Sequence, residues 1–365
     1  MPYLNITEVE SAVTSLAAAF PGSTQLITLP ERSVEGRTAH ALRISTPAPA
    51  PKDCVLLIGG VHAREWGSCE VLVHFAADLL EAQRDGTGLG YGGTTFTADQ
   101  VDALLHRLDL VVYPLVNPDG RLYSQTVRSM WRKNRNPANA GGSPNPSCVG
   151  VDLNRNYDFL FDFATAFDPA ATPQVSADPC DPQVYAGPSA FSEPETRNVR
   201  WLLDQCPRTR WFVDVHSYAQ DMLYNWGDDD NQSVDPDMNF RNSQYDGKRG
   251  LPGDLAYSEY IPKGDEDTAK LLAEAFCQGV GGVRGVPYKP MTGFHLYPTS
   301  GTSDDYVYTR HFTDPDHRGK VLGFTVEWGN DAVPSPNPFH PPWAEMAKIV
   351  LDVDAGLVQF CLAAT

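Results

Sequence analysis

Positive charge is scarce in this chain. Its 365 residues hold 28 Lys and Arg against 46 Asp and Glu, a formal charge of −18. A phosphate backbone demands a basic surface, so nucleic acid is not an expected partner. Long apolar runs are missing too. No stretch of about eighteen apolar residues occurs, which argues against a membrane-spanning helix. Met1 is followed by neither a charged n-region nor an apolar h-region, so a signal peptide is not expected. Cysteine is sparse and odd in number, seven in all, and none has a His-Asn setting that would mark a thiol nucleophile. Internal repeats are absent. What remains is a 42% apolar chain, enough for the core of one large α/β domain spanning residues 1–365.

The informative segment is Gly59-Gly60-Val61-His62-Ala63-Arg64-Glu65-Trp66, directly after the apolar run Cys54-Val55-Leu56-Leu57-Ile58. A buried strand would leave His62 and Glu65 at its C-terminal end, the edge where open α/β sheets bind ligands. An imidazole and a carboxylate three residues apart on a turn can reach one metal ion. Two further apolar runs end the same way: Trp211–Val215 before His216-Ser217-Tyr218, and Leu322–Val326 before Glu327. Two His and one Glu form the ligand set of catalytic zinc sites with an open position, and a further Glu suits a general base. Two other His-x-x-Asp pairs, His106/Asp109 and His311/Asp314, read as solvated or structural.

The motifs continue in order with Asn117-Pro118-Asp119-Gly120, Trp131-Arg132-Lys133 and Val151-Asp152-Leu153-Asn154-Arg155-Asn156. After these come His216-Ser217-Tyr218, Leu296-Tyr297-Pro298 and Phe324-Thr325-Val326-Glu327. From about Thr7 to the C-terminus the sequence resembles the zinc carboxypeptidases of the carboxypeptidase A/B type. The resemblance implies a central mixed, mainly parallel twisted sheet of about eight strands with helices on both faces. It implies one Zn2+ per chain on His62, Glu65 and His216. Glu327 would activate the attacking water and carry its proton to the leaving amine, and Arg132 would stabilise the oxyanion. Asn154, Arg155 and Tyr297 would hold the substrate's C-terminal carboxylate, and Arg64 and Tyr218 would line the subsites toward its N-terminus. Asp152 would accept a hydrogen bond from His62; pairing with Arg155 is the alternative for it.

These roles suit the chemistry. A fixed guanidinium beside a metal stabilises charge developing on a carbonyl oxygen. Guanidinium and amide donors together bind a free carboxylate. The family's specificity position lies seven residues beyond Tyr297, at Asp304. An apolar residue there goes with aromatic or branched C-termini, an Asp with Lys or Arg. A carboxylate ending an enclosed pocket rejects apolar side chains. Ser303 or Asp304 could instead cap a helix starting near Asp305. Leu296 and Thr325 are further lining candidates, and an apolar lining would permit dual acceptance.

The expected activity is thus hydrolysis of the C-terminal peptide bond of peptides with a free C-terminus, preferring Lys or Arg, by a monomer. Dual specificity and a non-catalytic binding module are the alternatives. By resemblance a Cys148–Cys180 disulfide is expected, the other five cysteines being buried thiols. The long N-terminal activation segment of secreted digestive relatives is not seen. Localisation therefore stands open, cytoplasmic from the chain as written and secreted by analogy.

Helices are expected at Ser68–Gln83, from a capping box Ser192-Glu193-Pro194-Glu195 to about Asp204, at Glu266–Gln278 and at Trp343–Phe360. A strand is expected at Asp109–Val116, with loops at Asp85–Gly93 and Asn134–Ser147. Asp228–Pro262 reads as a polar insertion over the cleft. Its Asp228-Asp229-Asp230-Asn231 and Asp235/Asp237 are weak calcium candidates without an EF-hand pattern.

Overall fold

The computed structural model describes residues 3–330 and 337–365. Alternation within the apolar runs decides the architecture. Val55 and Leu57, Leu110 and Val112, and Val213 and Val215 pack into one core. Leu56 and Ile58, Val111 and Tyr113, and Phe212 pack into another. Strands buried on both faces read as continuous apolar runs because helices cover both sides.

Eight strands form the main sheet: β1 (Thr24–Thr28), β2 (His40–Ile44), β3 (Asp53–Gly59), β4 (Leu108–Tyr113), β5 (Thr209–His216), β6 (Asp221–Tyr224), β7 (Lys289–Thr292) and β8 (Leu322–Glu327). Their spatial order is β1-β2-β4-β3-β5-β8-β6-β7. The central four, β4, β3, β5 and β8, run parallel, whereas β2 and β6 run against them. Helices Gly67–Asp85, Lys263–Arg284 and Trp343–Ala363 bury the first core. Helices Pro194–Gln205 and Ser303–Thr313 bury the second. The expected single α/β domain with a mixed sheet of eight strands is the observed fold. Among the described residues no helix is long and apolar enough to cross a membrane.

Several local expectations change. The strand predicted to reach Val116 ends at Tyr113. There the chain turns so that Val116 N donates to Gly59 O and Asn117 N to Gly60 O. The Ser192/Glu195 capping box does not form. The helix starts at Pro194, the Glu193 side chain at its cap position bonds no backbone N–H of the helix, and the Ser192 hydroxyl donates to Glu193. The Glu195 carboxylate is drawn inward to Asn134. Part of the glycine-rich 85–93 stretch is a strand, Leu89–Tyr91, in a hairpin with Thr94–Phe96. The last two helices run beyond their expected ends, to Arg284 and Ala363.

The 228–262 segment carries a small parallel pair, Asn231–Gln232 with Glu259–Tyr260. Its acidic residues serve its own backbone: Gly250 N donates to Asp229, Phe240 N to Glu259, and Asp237 N to Asp235. Among the described residues it contributes no cluster of three possible metal ligands.

The Cys148–Cys180 disulfide is present, and Cys54, Cys69, Cys206 and Cys361 are buried free thiols, with Cys277 half-buried. Beside the disulfide lies fully buried Lys133. Its ammonium donates to Ser147 O at 2.7 Å, Asp181 O at 2.8 Å and Pro179 O at 3.5 Å. Three carbonyls flanking the two cysteines thus share one cation. Lys133→Met should strand them and cost about 2–4 kcal/mol. The check is urea unfolding, where the midpoint falls at an unchanged slope.

Candidate active site

Three chain turns meet at the C-terminal edge of the parallel strands. Gly60 makes the first possible. Its φ is +64°, and a Cβ there would lie 2.8 Å from Cys69 Sγ, so only glycine lets the chain leave β3 this way. The Asn117 side chain fastens the next step by donating to Val61 O at 2.9 Å, and Ala63 N donates to Arg132 O. The Asn117-Pro118-Asp119-Gly120 motif therefore braces the loop that carries His62 and Glu65. His216 ends β5, and Glu327, ending β8, sits in register beside it.

His62, Glu65 and His216 converge in the buried interior. Nδ1 of His62 and Nδ1 of His216 are 2.9 Å apart; Glu65 Oε1 is 2.8 Å from the first and Oε2 is 3.0 Å from the second. Each opposite ring nitrogen faces a carboxylate. His62 Nε2 lies 3.1 Å from Asp152 Oδ1, and His216 Nε2 lies 2.9 Å from Asp214 Oδ2. Carboxylates at both Nε2 positions favour the tautomer that leaves each Nδ1 lone pair free, which is how ligand histidines are oriented. Two such nitrogens and a carboxylate aimed at one point fit a zinc-type ion. Burial alone would raise the Glu65 carboxyl, but His62 and His216 hold it well below the usual carboxylate range.

Asp152 is a hub. Besides His62 it accepts from Arg132 Nε at 3.0 Å and from Asn154 N at 3.0 Å. Arg132 Nη2 is also 3.0 Å from it. Burial would raise this carboxyl; Arg132 first, then His62, holds it well below its ordinary value. The sequence offered His62 or Arg155 as its partner, and the structure adds Arg132 to His62. One carboxylate thus orients a metal-type histidine, a guanidinium and the backbone entering Asn154.

A small cavity opens beside Glu327 and is lined by Asn154, Arg155, Tyr297, Thr325, Asp304 and Leu223, among others. Asn154 Oδ1 accepts from Ser303 N at 2.8 Å, which leaves its amide NH2 for the cavity. Arg155 is fixed by donating from Nε to Gln174 O and from Nη1 to Asn154 O. Thr325 Oγ1 donates to Asp304 Oδ2 at 2.9 Å. Asp304 comes this close because β8 has Gly323, where a Cβ would lie 2.1 Å from Asp304 O. Ser303 and Asp304 lie within the first turn of helix Ser303–Thr313 and do not cap it; Thr302 holds the cap position. Burial pushes the half-buried Glu327 carboxyl up to about 8, opposed chiefly by His216.

Arrangement and fold together decide the family. The zinc carboxypeptidase profile matches residues 9–350. The chain belongs to the zinc carboxypeptidase family. Similar proteins include carboxypeptidase A2 of Rattus norvegicus, 32% identical over 225 residues, 62% of this chain and 47% of that protein. Carboxypeptidase B of Astacus astacus is 32% identical over 62% of this chain and 64% of its own length. A protein of Talaromyces stipitatus named inactive metallocarboxypeptidase ecm14 is 30% identical over 57% of this chain and 32% of its own. The match therefore spans about half the length of the first of these relatives. Thrombin activatable fibrinolysis inhibitor superposes with a TM-score of 0.72 at 21% identity, covering 98% of this chain and 73% of that one. Carboxypeptidase A from Helicoverpa armigera gives 0.71 at 22%, covering 100% and 74%. At such identities these two likenesses concern the fold.

Within this carboxypeptidase fold the remaining expected residues fall in two places, Tyr297 in the cavity lining and Arg64 and Tyr218 around Phe339. Tyr297 is 36% exposed and lines the cavity. Arg64 Nη1 donates to Gln183 Oε1 at 2.7 Å, and its guanidinium lies 4.0 Å from the centre of the Phe339 ring. Tyr218 meets the same ring edge-on at 4.9 Å. Gln183, Asp214 and Phe339 were not anticipated. Asp214 had a signal: a lone charge within an apolar strand, two residues before His216 and so on its face. Gln183 and Phe339 sit in irregular segments with no periodicity to place them. His106/Asp109 and His311/Asp314 do not assemble. Asp109 pairs with Arg43 and Lys52, and His311 Nδ1 faces Arg318 O.

Proposed function

We propose that this chain is a zinc-dependent exopeptidase that hydrolyses the C-terminal peptide bond of peptides, preferring Lys or Arg at the end. One observation supports the reading: Glu327 lies beside the His62/Glu65/His216 cluster and also lines a cavity that it shares with Asn154, Arg155 and Asp304.

In this reading His62, Glu65 and His216 hold one Zn2+ per chain. Bound zinc supplies Lewis acidity that acidifies water and polarises a carbonyl. Glu327 takes the proton of the attacking water and passes it to the leaving amine. Arg132, held in place by Asp152, donates to the oxygen on which negative charge develops, a contribution of about 3–4 kcal/mol for one such donor. The Asn154 amide and the Arg155 guanidinium bind the terminal carboxylate, and Tyr297 closes over it. Arg64 and Tyr218, with Phe339, contact residues upstream, and the chain works as a monomer.

Leu223 and Leu296 also line the cavity. They favour a second reading with the same chemistry and dual acceptance of apolar and basic ends. Blocked dipeptides ending in Arg, Lys, Phe or Leu, with and without a zinc chelator, separate the two. Chelator-sensitive release of Arg and Lys alone supports the narrow reading, and added release of Phe or Leu supports the dual one. No release from any substrate by zinc-loaded protein would sink exopeptidase activity.

A further inference from the structure

A second group of possible metal ligands lies away from the cavity, between two long helices. His74 and Asp78 stand one turn apart on helix Gly67–Asp85 and so share a face. Asp354 comes from the middle of helix Trp343–Ala363. The three ligand atoms lie within 4.8 Å of one another. His74 Nδ1 is 2.5 Å from Asp354 Oδ2 and 3.5 Å from Asp78 Oδ2.

A plain ion pair would account for His74 and one oxygen of Asp354. It does not account for the other oxygen. Asp354 is fully buried, and its Oδ1 has no hydrogen-bond partner among the described residues. A buried carboxylate with half of its acceptor capacity unmet is costly, and native interiors meet such groups with a proton, a water or a metal. His74 remains partly exposed, its side chain 42% accessible, so an ion can enter from solvent and keep water on its open side.

We propose that His74, Asp78 and Asp354 form a second divalent-cation site, which clips helix Gly67–Asp85 to helix Trp343–Ala363. One imidazole and two carboxylates select a borderline ion such as Zn2+ over Ca2+, which takes six or more oxygens. The site joins residues 280 apart in sequence, so its role is structural.

A neutral phenol and a further carboxylate lie near the site as well. The Tyr91 phenol is buried against Asp78 and Asp354, and Glu81 lies on the same helix as His74. The hydrogen bond to Asp354 pushes the His74 imidazole up to about 9, and burial pushes the Asp354 carboxyl up to about 7. A proton therefore holds the pair together in the absence of a cation, and metal uptake releases it.

The test is zinc content after dialysis of the whole chain against about 10 µM free Zn2+ at pH 8. Wild type should hold about two zinc ions, and His74→Ala and His62→Ala about one each, with His74→Ala keeping its fold by circular dichroism. Asp78→Asn should repeat the loss of one ion. Zinc added beyond the first equivalent should raise the melting temperature of wild type and not that of His74→Ala. If His74→Ala binds as much zinc as wild type, the site is an ion pair only and the proposal is overturned.

Discussion

Glu327→Gln should keep its zinc and its fold while kcat falls by about 10³–10⁴-fold. Position separates the two functions of the carboxylates in this centre. Glu65 places one oxygen against each Nδ1 of the histidine pair. Glu327 makes no such contact; it ends β8 in register with His216 and lines the cavity from the other side. Glutamine keeps the shape and can still hydrogen-bond, but it cannot accept a proton at working pH. Turnover should fall with KM changed little, because ground-state contacts survive. Zinc content measured alongside activity tells base from ligand. A variant that loses its zinc would make Glu327 a ligand, and one retaining activity within tenfold of wild type would remove it from the mechanism. Wild-type turnover itself matters here, since one similar protein is named inactive at 30% identity. Overall identity does not separate the two outcomes; a turnover measurement does.

The metal-type residues were legible because the sequence writes them as interruptions. Three apolar runs end in His or Glu, and parallel strands bring those ends to one edge. The residues proposed to bind the terminal carboxylate stood out only through the whole motif order, since Asn154-Arg155 alone could be a turn. What stayed hidden was set by tertiary contact. Asp152 serves Arg132 as well as His62 because the segments around residues 132 and 152 are brought together, by Asn134 N on Val151 O among other bonds. The predicted capping box failed for a similar reason: buried Asn134 and half-buried Asn136 claim the Glu193 and Glu195 carboxylates that a local rule would leave at a helix start. Glycines in the 85–93 stretch read as a loop, yet they form a hairpin whose turn packs on helix Lys263–Arg284, with Gly93 N donating to Val283 O. Local propensity yielded wherever a buried partner was available.

Asp304→Ile should exchange the preferred C-terminal residue. Release of Arg should fall and release of Phe should rise, moving the Arg:Phe ratio of kcat/KM by about 10⁴-fold. The asymmetry comes from Asp304 itself. Buried in the cavity lining, it accepts from Thr325 Oγ1 and from Asp305 N and keeps acceptor capacity for an incoming cation. An apolar side chain entering the cavity would leave that carboxylate buried without a counter-charge, which costs more than a lost methylene contact. Asp305 is the control. Its oxygens are occupied by Asn225 Nδ2, Gly227 N and Thr302 Oγ1. Burial, then Asp304, pushes its carboxyl well above the ordinary range, so it contributes little charge to the cavity. Asp305→Asn should lower stability without inverting the preference. The Leu223 and Leu296 walls set the remaining question, since they would still welcome Phe once the carboxylate is gone. An Asp304→Ile enzyme that still favours Arg would place the selecting charge elsewhere in the cavity. A wild type that already releases Phe as fast as Arg would assign the selectivity to those apolar walls.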